Sequence, residues 1–332
     1  MVEEERDCNE KSVILNAIIN AKIESKKQQF NEKKCVLIHI GPKPDMCPDL
    51  KVHETMMAKV EKQTYLGDVI CHTGYNDENI SERCKTGHAA ISQIKSLLTD
   101  GQFGKFLIQS GLVLRDSVFV SKMLLNSEVW HSLTKAQIEK LEMIDRILLR
   151  NVLDAHSKTG IEWLYSETGK MPLRFLIQYR RIMYWWHIVN RDKSELIYRV
   201  YVAQKNSPVT GDWWNLVESD KIELGISLTD NELQTISKTG FKNIVKKKIQ
   251  SKYLSFLNEL KVKHSRWLNI YKVENLQQEK KDYCSNLEAE QWRSKLTFLV
   301  SSRTLFAAAV TWLKKHRVTC FNVKNWFPNC ST

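Results

Sequence analysis

The chain has 332 residues, with 50 Lys and Arg against 38 Asp and Glu, a net charge of +12. A hydrophobic share of 42% excludes a disordered chain, and only 12 Gly and 6 Pro argue for long helices with few tight hairpins. The basic excess favours polyanionic partners, although charge alone fits an ordinary basic surface equally well.

The eight cysteines show no repeating spacing, and Glu3, Glu4 and Glu5 after Met1 carry the wrong charge for a secretory leader. Free thiols in a reducing intracellular compartment, nuclear or cytoplasmic, are therefore expected. Leu296 to Leu313 is fairly apolar, but Arg303 in its middle would cost about 2.5 kcal/mol or more in a bilayer. A buried helix, with no membrane partner, is the expectation there.

Asn9 to Lys27 has helical spacing, with Val13, Ile14, Ala17 and Ala21 on one face. Lys34 to Ile40 alternates as a strand and ends at Gly41-Pro42-Lys43-Pro44. Thr64 to His72 has the composition of a further strand, with Lys51 to Met57 as a partner. From Asn79 the period becomes helical: Ile80, Cys84, Gly87, Ile91, Ile94 and Leu98 share a face, with Asn79 and Glu82 as a capping box. Asp100-Gly101 breaks that helix. Leu107, Leu114, Val118 and Leu125 line the next, and Thr134 with Gln137 caps a third that turns Ile138, Leu141, Leu148 and Val152 inward. Three such helices in succession predict a bundle.

Pro172 opens a helix to about Asn190. A shorter helix spans about Ser194 to Gln204, Asn206-Ser207-Pro208 is a turn, and Thr229 with Glu232 caps another short helix. Phe241 to Lys263 reads as one long helix with Val245, Ile249, Phe256 and Leu260 inward. Ser265 to Glu279 is polar enough to be a linker.

Several strings then fall in order. Ala21-Lys22-Ile23-Glu24, Lys26-Lys27, Phe30-Asn31, Lys34-Cys35 and Ile38-His39-Ile40-Gly41 lead to Tyr65-Leu66-Gly67-Asp68. Arg83, Gly87, Ala89, Ala90, Ile91 and Ile94 follow. Leu125-Asn126-Ser127-Glu128-Val129-Trp130, Leu141-Glu142 with Asp145 and Leu148-Leu149-Arg150, Leu164-Tyr165 with Glu167 and Gly169, and Pro172-Leu173-Arg174-Phe175 complete the series. From Leu15 to His264 it resembles the end of the palm, the primer-grip hairpin, the thumb and the post-thumb region of non-LTR (LINE-type) retrotransposon reverse transcriptases.

The resemblance implies a mainly α chain with a small antiparallel β hairpin or sheet near its start. It divides the chain into a palm remnant (1–75), a thumb-like helical bundle (76–156), a post-thumb helical region (157–265) and a divergent helical tail (266–332). It implies RNA and RNA/DNA hybrid as partners. Polymerases of this family hold two metal ions on aspartates, including an adjacent pair. No Asp-Asp pair occurs in this sequence, and the chain begins after the point where the pair would lie. The expectation is a clamp without catalytic residues, inactive alone, with Mg²⁺ a cofactor of the full-length enzyme only. A helical protein-binding or domesticated nucleic-acid-binding chain is the alternative, as is an active enzyme encoded upstream.

The candidate nucleic-acid residues each carry two readings. Lys34 matches a lysine near the departing pyrophosphate, yet without metal aspartates a solvated strand-edge lysine is favoured. Tyr65, Leu66 and Gly67 form the primer grip or an ordinary hairpin. Lys85, Lys95 and Lys105 border a thumb helix whose Gly87 and Ala90 admit a duplex or another helix. Arg174, Gln178, Arg181 and Trp185 form a stripe suited to stacked bases or to an Arg181–Trp185 cation–π pair. Beside it, Arg180 falls in an apolar stripe and needs a partner, with Glu162 or Glu167 expected. Lys246 and Lys247, with Lys242, Lys248 and Lys252, are either a solvated face or an RNA contact. Cys35, His39, Cys47 and His53 lack the short C-x-x-C spacing of a zinc site, and His316, Cys320 and Cys330 are one ligand short of a closed one, so no metal site is expected.

Overall fold

The computed structural model describes residues 35–40, 50–52, 55–99 and 108–263. The expected helix at Asn9 to Lys27, the turn at Gly41, the break at Asp100-Gly101, Leu107, the linker from Ser265 and the tail lie outside the described residues. So do Lys34 and Lys105.

Among the described residues the chain is mainly helical, with its β structure before the helices. β1 (Val36–Leu37) pairs in parallel with β4 (Ala58–Lys59), and β2 (Lys51–Val52) pairs antiparallel with β3 (Thr55–Met56). β5 (Lys62–Tyr65) and β6 (Asp68–Cys71) form an antiparallel hairpin. The single strand expected over Thr64 to His72 is thus two strands folded on each other, and Lys51 pairs locally with Met56 instead. The reason is the Leu66-Gly67 turn. Both residues have positive φ, 49° and 91°, which reverses the chain in two residues.

The helices follow. α1 is Asp77–Thr99; α2 (Ile108–Leu114) passes through a π-helical turn at Arg115–Phe119 into α3 (Val120–Met123). α4 is Lys135–Leu153, α5 Ile161–Thr168 and α6 Leu173–Val189. α7 is Leu196–Asn206, α8 Trp213–Leu224, α9 Asp230–Thr235 and α10 Lys238–Lys263.

Two of the expected caps form. At α4, Gln137 N–H donates to Thr134 Oγ1 (3.2 Å) and Thr134 N–H to Gln137 Oε1 (2.9 Å). At α9, Thr229 and Glu232 make the same reciprocal pair. The box expected at Asn79 does not form, because α1 begins two residues earlier. Asn79 is buried, and its Oδ1 accepts from Val69 N–H of β6 (3.3 Å).

The face of α2–α3 also departs from expectation. Ile108, Leu112, Arg115, Phe119 and Met123 are buried, while Leu125 is exposed. The true face passes through Arg115, a charge that a hydrophobic period leaves out, so the period read from sequence settles one residue away from it.

The chain forms two compact units, each assembled from three stretches. One comprises Met1–Thr86, Lys122–Leu141 and Ile177–Lys242; the other comprises Gly87–Ser121, Glu142–Leu176 and Asn243–Thr332. Trp130, Trp185, Trp214, Tyr201 and Phe241 are buried in the first. Phe119, Leu148, Tyr165, Phe175 and Tyr253 are buried in the second. Among the described residues, no helix is long and apolar enough to cross a membrane.

Candidate nucleic-acid interface

The β5–β6 hairpin presents its tip to solvent. Every residue from Lys62 to Gly67 is exposed, Tyr65 at 63% and Leu66 at 77%. A left-handed leucine costs about 1–2 kcal/mol against the right-handed conformation. Burial of the Leu66 side chain does not offset that cost, so its surroundings must impose the conformation.

Those surroundings come from two separate parts of the first unit, α1 and the stretch that begins at Lys122. Arg83 of α1 donates from Nη2 to the Gly67 carbonyl (2.5 Å) and to Asp68 Oδ1 (2.6 Å). Asn126 donates from Nδ2 to Asp68 Oδ2 (2.7 Å) and to the Leu66 carbonyl (3.4 Å). Arg83 also reaches the Lys122 carbonyl (3.4 Å). Its guanidinium is buried, so the Asp68 carboxylate that meets it is structurally required. Both turn carbonyls are therefore held from the protein side, while the Tyr65 and Leu66 side chains are left outward.

Gly67 is needed for a second reason beyond its φ of +91°. A Cβ there would lie 2.8 Å from Leu125 Cδ2. Gly67→Ala is expected to lower stability by about 1–3 kcal/mol through strain and this clash. Urea unfolding followed by circular dichroism checks it, and an unchanged midpoint would show that the turn is not held as described.

Two lysines lie in exposed ion pairs in this unit: Lys62 with Glu78 (3.2 Å) and Lys85 with Glu82 (3.1 Å). Such pairs are worth roughly 0–1 kcal/mol, so a phosphate can displace the carboxylate. Lys95 of α1 is exposed, whereas Gly87 and Ala90 are buried, which places the small residues of that helix against protein.

The arginines of α6 are engaged internally. Arg181 is 4% exposed and donates to Asp220 Oδ2 (2.7 Å), and Gln178 reaches Asp220 (3.2 Å) and Glu223 (2.6 Å). Trp185 is fully buried, with Lys221 Nζ 4.6 Å from its ring centre, the place expected for Arg181. Arg180 donates to the Leu124 carbonyl and to Ser127 Oγ (3.4 Å), so a carbonyl and a hydroxyl are its partners and not Glu162 or Glu167.

In the second unit, Arg174 grips Glu142 through Nε (2.7 Å) and Nη2 (2.5 Å) and lies 5.3 Å above the Phe256 ring. Arg115 forms a bidentate pair with Asp145, both contacts 2.7 Å, and Tyr165 donates to the same carboxylate (3.3 Å). Burial alone would pull the Arg115 pKa down, but the Asp145 charge and its hydrogen bonds reverse this, and the net direction is up. Lys246 and Lys247 stand exposed on α10.

The residues that sequence reasoning did not place in the site are Asp68, Arg83 and Asn126. All three occur in the ordered strings, but no local pattern links positions so far apart. Among the described residues, no group of three or more His, Cys, Asp or Glu side chains is placed to hold a metal ion. Comparison with protein-family models, with curated proteins and with solved structures finds no match in any of the three.

Proposed function

We propose that this chain is the palm-end, thumb and post-thumb part of an RNA-directed DNA polymerase of the non-LTR retrotransposon kind. Its role is to grip an RNA/DNA template–primer without reading sequence. The observation that carries the reading is the β5–β6 tip: a leucine held in a left-handed conformation, 77% exposed, with its turn anchored by Arg83 and Asn126. Backbone strain maintained around an outward side chain favours a ligand-facing role over a packing role. Tyr65 supplies a stacking surface and Leu66 an apolar contact for sugars or bases. The ordered strings support the same reading, since residues from three of them meet at this turn.

Polymerisation is not part of the proposed activity, because no adjacent aspartate pair is present to hold two divalent ions. Primer extension with Mg²⁺ is expected to yield no product, and template-dependent extension would overturn that point.

Leu66→Gly tests the grip. Glycine relieves the left-handed strain, so stability is expected to hold or rise by up to about 1 kcal/mol. Affinity for an RNA/DNA hybrid is expected to fall roughly tenfold, about 1.4 kcal/mol, near what partial burial of one leucine side chain contributes. Loss of stability without loss of binding would make the tip a structural turn and remove the basis of the reading.

A further inference from the structure

The charge of this chain is not evenly spread. α10 holds eight lysines and one glutamate over Lys238–Lys263, and 8 − 1 gives +7 of the chain's net +12. Elsewhere many cations are drawn into pairs: Arg83 with Asp68, Arg115 with Asp145, Arg174 with Glu142, Arg181 with Asp220 and Lys205 with Asp230. Lys246, Lys247 and Lys248 are exposed and join no ion pair among the described residues.

The remainder of α10 narrows what these lysines can meet. Phe241, Val245, Ile249, Tyr253 and Leu257 recur every four residues and are buried, so the apolar side is used by the protein itself. Among the described side chains of this helix, Ile244, at 37%, is the exposed large hydrophobic one, which leaves little to insert into a bilayer. Successive helical residues are about 100° apart, so the three lysines fan over roughly 200° of the helix. A flat acidic protein face meets only one side of such a fan. A duplex carries phosphates along both edges of its grooves, and the wide, shallow minor groove of an A-form hybrid lets a helix lie across both.

We infer that the solvent side of α10 is a second nucleic-acid site, where Lys246 and Lys248 contact the two phosphate backbones of a duplex and Lys247 lies between them. The contact is electrostatic and independent of base sequence. It uses different residues from the hairpin tip and does not depend on that reading.

The test uses the full chain and a salt series of binding to an RNA/DNA hybrid. The triple variant K246Q/K247Q/K248Q is expected to lower the slope of log affinity against log salt by roughly 2 to 3, at about 0.9 per phosphate contact. Affinity at low salt is expected to fall about 100-fold, with an unchanged unfolding midpoint. K246R/K247R/K248R keeps the charge and is expected to keep the slope, which separates a charge effect from a folding defect. Leu66→Gly is expected to lower affinity at an unchanged slope, so the two sites fail independently. An unchanged slope in the glutamine variant overturns the inference. So does equal lysine-dependent binding to a single strand of the same length, or tighter lysine-dependent binding to phosphatidylserine vesicles.

Discussion

Raising the pH through about 10 to 11, the range in which an ordinary tyrosine ionises, is expected to destabilise this chain by several kcal/mol. Tyr165 and Tyr253 have no exposed surface and Tyr201 has 2%. Burial raises the pKa of all three, and for Tyr165 the Asp145 carboxylate adds to it. Their hydroxyls donate to Asp145 Oδ2 (3.3 Å), the Lys170 carbonyl (3.1 Å) and the Asp230 carboxylate (2.8 Å). Each bond is lost when its proton leaves. In the folded chain these phenols stay protonated; in the unfolded chain they ionise at about pH 10. Their contribution is thus complete below pH 10 and is lost as the pH climbs above it. The loss approaches about 1.4 kcal/mol per group and per pH unit, or about 4 kcal/mol for three, a large part of a stability of roughly 5–15 kcal/mol. Urea midpoints across this range, with tyrosinate absorbance in parallel, check the expectation. If the tyrosines ionise while the midpoint stays level, they are open to solvent in the folded state.

The elements that were legible in the sequence are those fixed by neighbours in the chain. Pro172 marked the start of α6 because proline suits a first helical turn. The Thr134–Gln137 and Thr229–Glu232 pairs marked α4 and α9 because a capping box is closed within four residues. The long helix near Phe241 followed from its apolar spacing. What was not legible depends on partners distant in sequence. Asn79 has the composition of a cap, yet it serves Val69. Arg181 and Trp185 are correctly spaced to meet, yet Asp220 takes the first and Lys221 covers the second. Arg180 was correctly read as a charge needing a partner, but the partner is a helix-end carbonyl, which no residue pattern announces. The hairpin tip is intermediate. Its residues were singled out by resemblance, while the anchors that give the turn its shape, Arg83 and Asn126, became a site only when the fold brought them to Asp68.

Asp145→Ala is expected to be the most damaging single substitution among the described residues. Arg115 is 1% exposed and sits within a π-helical turn, one residue off the face that sequence periodicity turns inward. It also donates to the Met171 carbonyl (3.0 Å) and to Asp116 (2.9 Å), but Asp145 is its buried countercharge. Removing that carboxylate leaves a desolvated guanidinium, strips Tyr165 of its acceptor and opens a small cavity, for an expected loss of about 3–5 kcal/mol. The decisive comparison is the double variant Arg115→Met with Asp145→Leu. If the cost of the single variant arises from an uncompensated charge, removing both charges at similar volume restores at least half of the lost stability, despite one fewer donor for the Met171 carbonyl. If the cost arises from lost packing, the double variant is no better than the single. Urea midpoints for wild type, both single variants and the double variant form the cycle that decides it. An Asp145→Ala midpoint equal to wild type would mean that Arg115 has found water, and that the second unit is not organised around this pair.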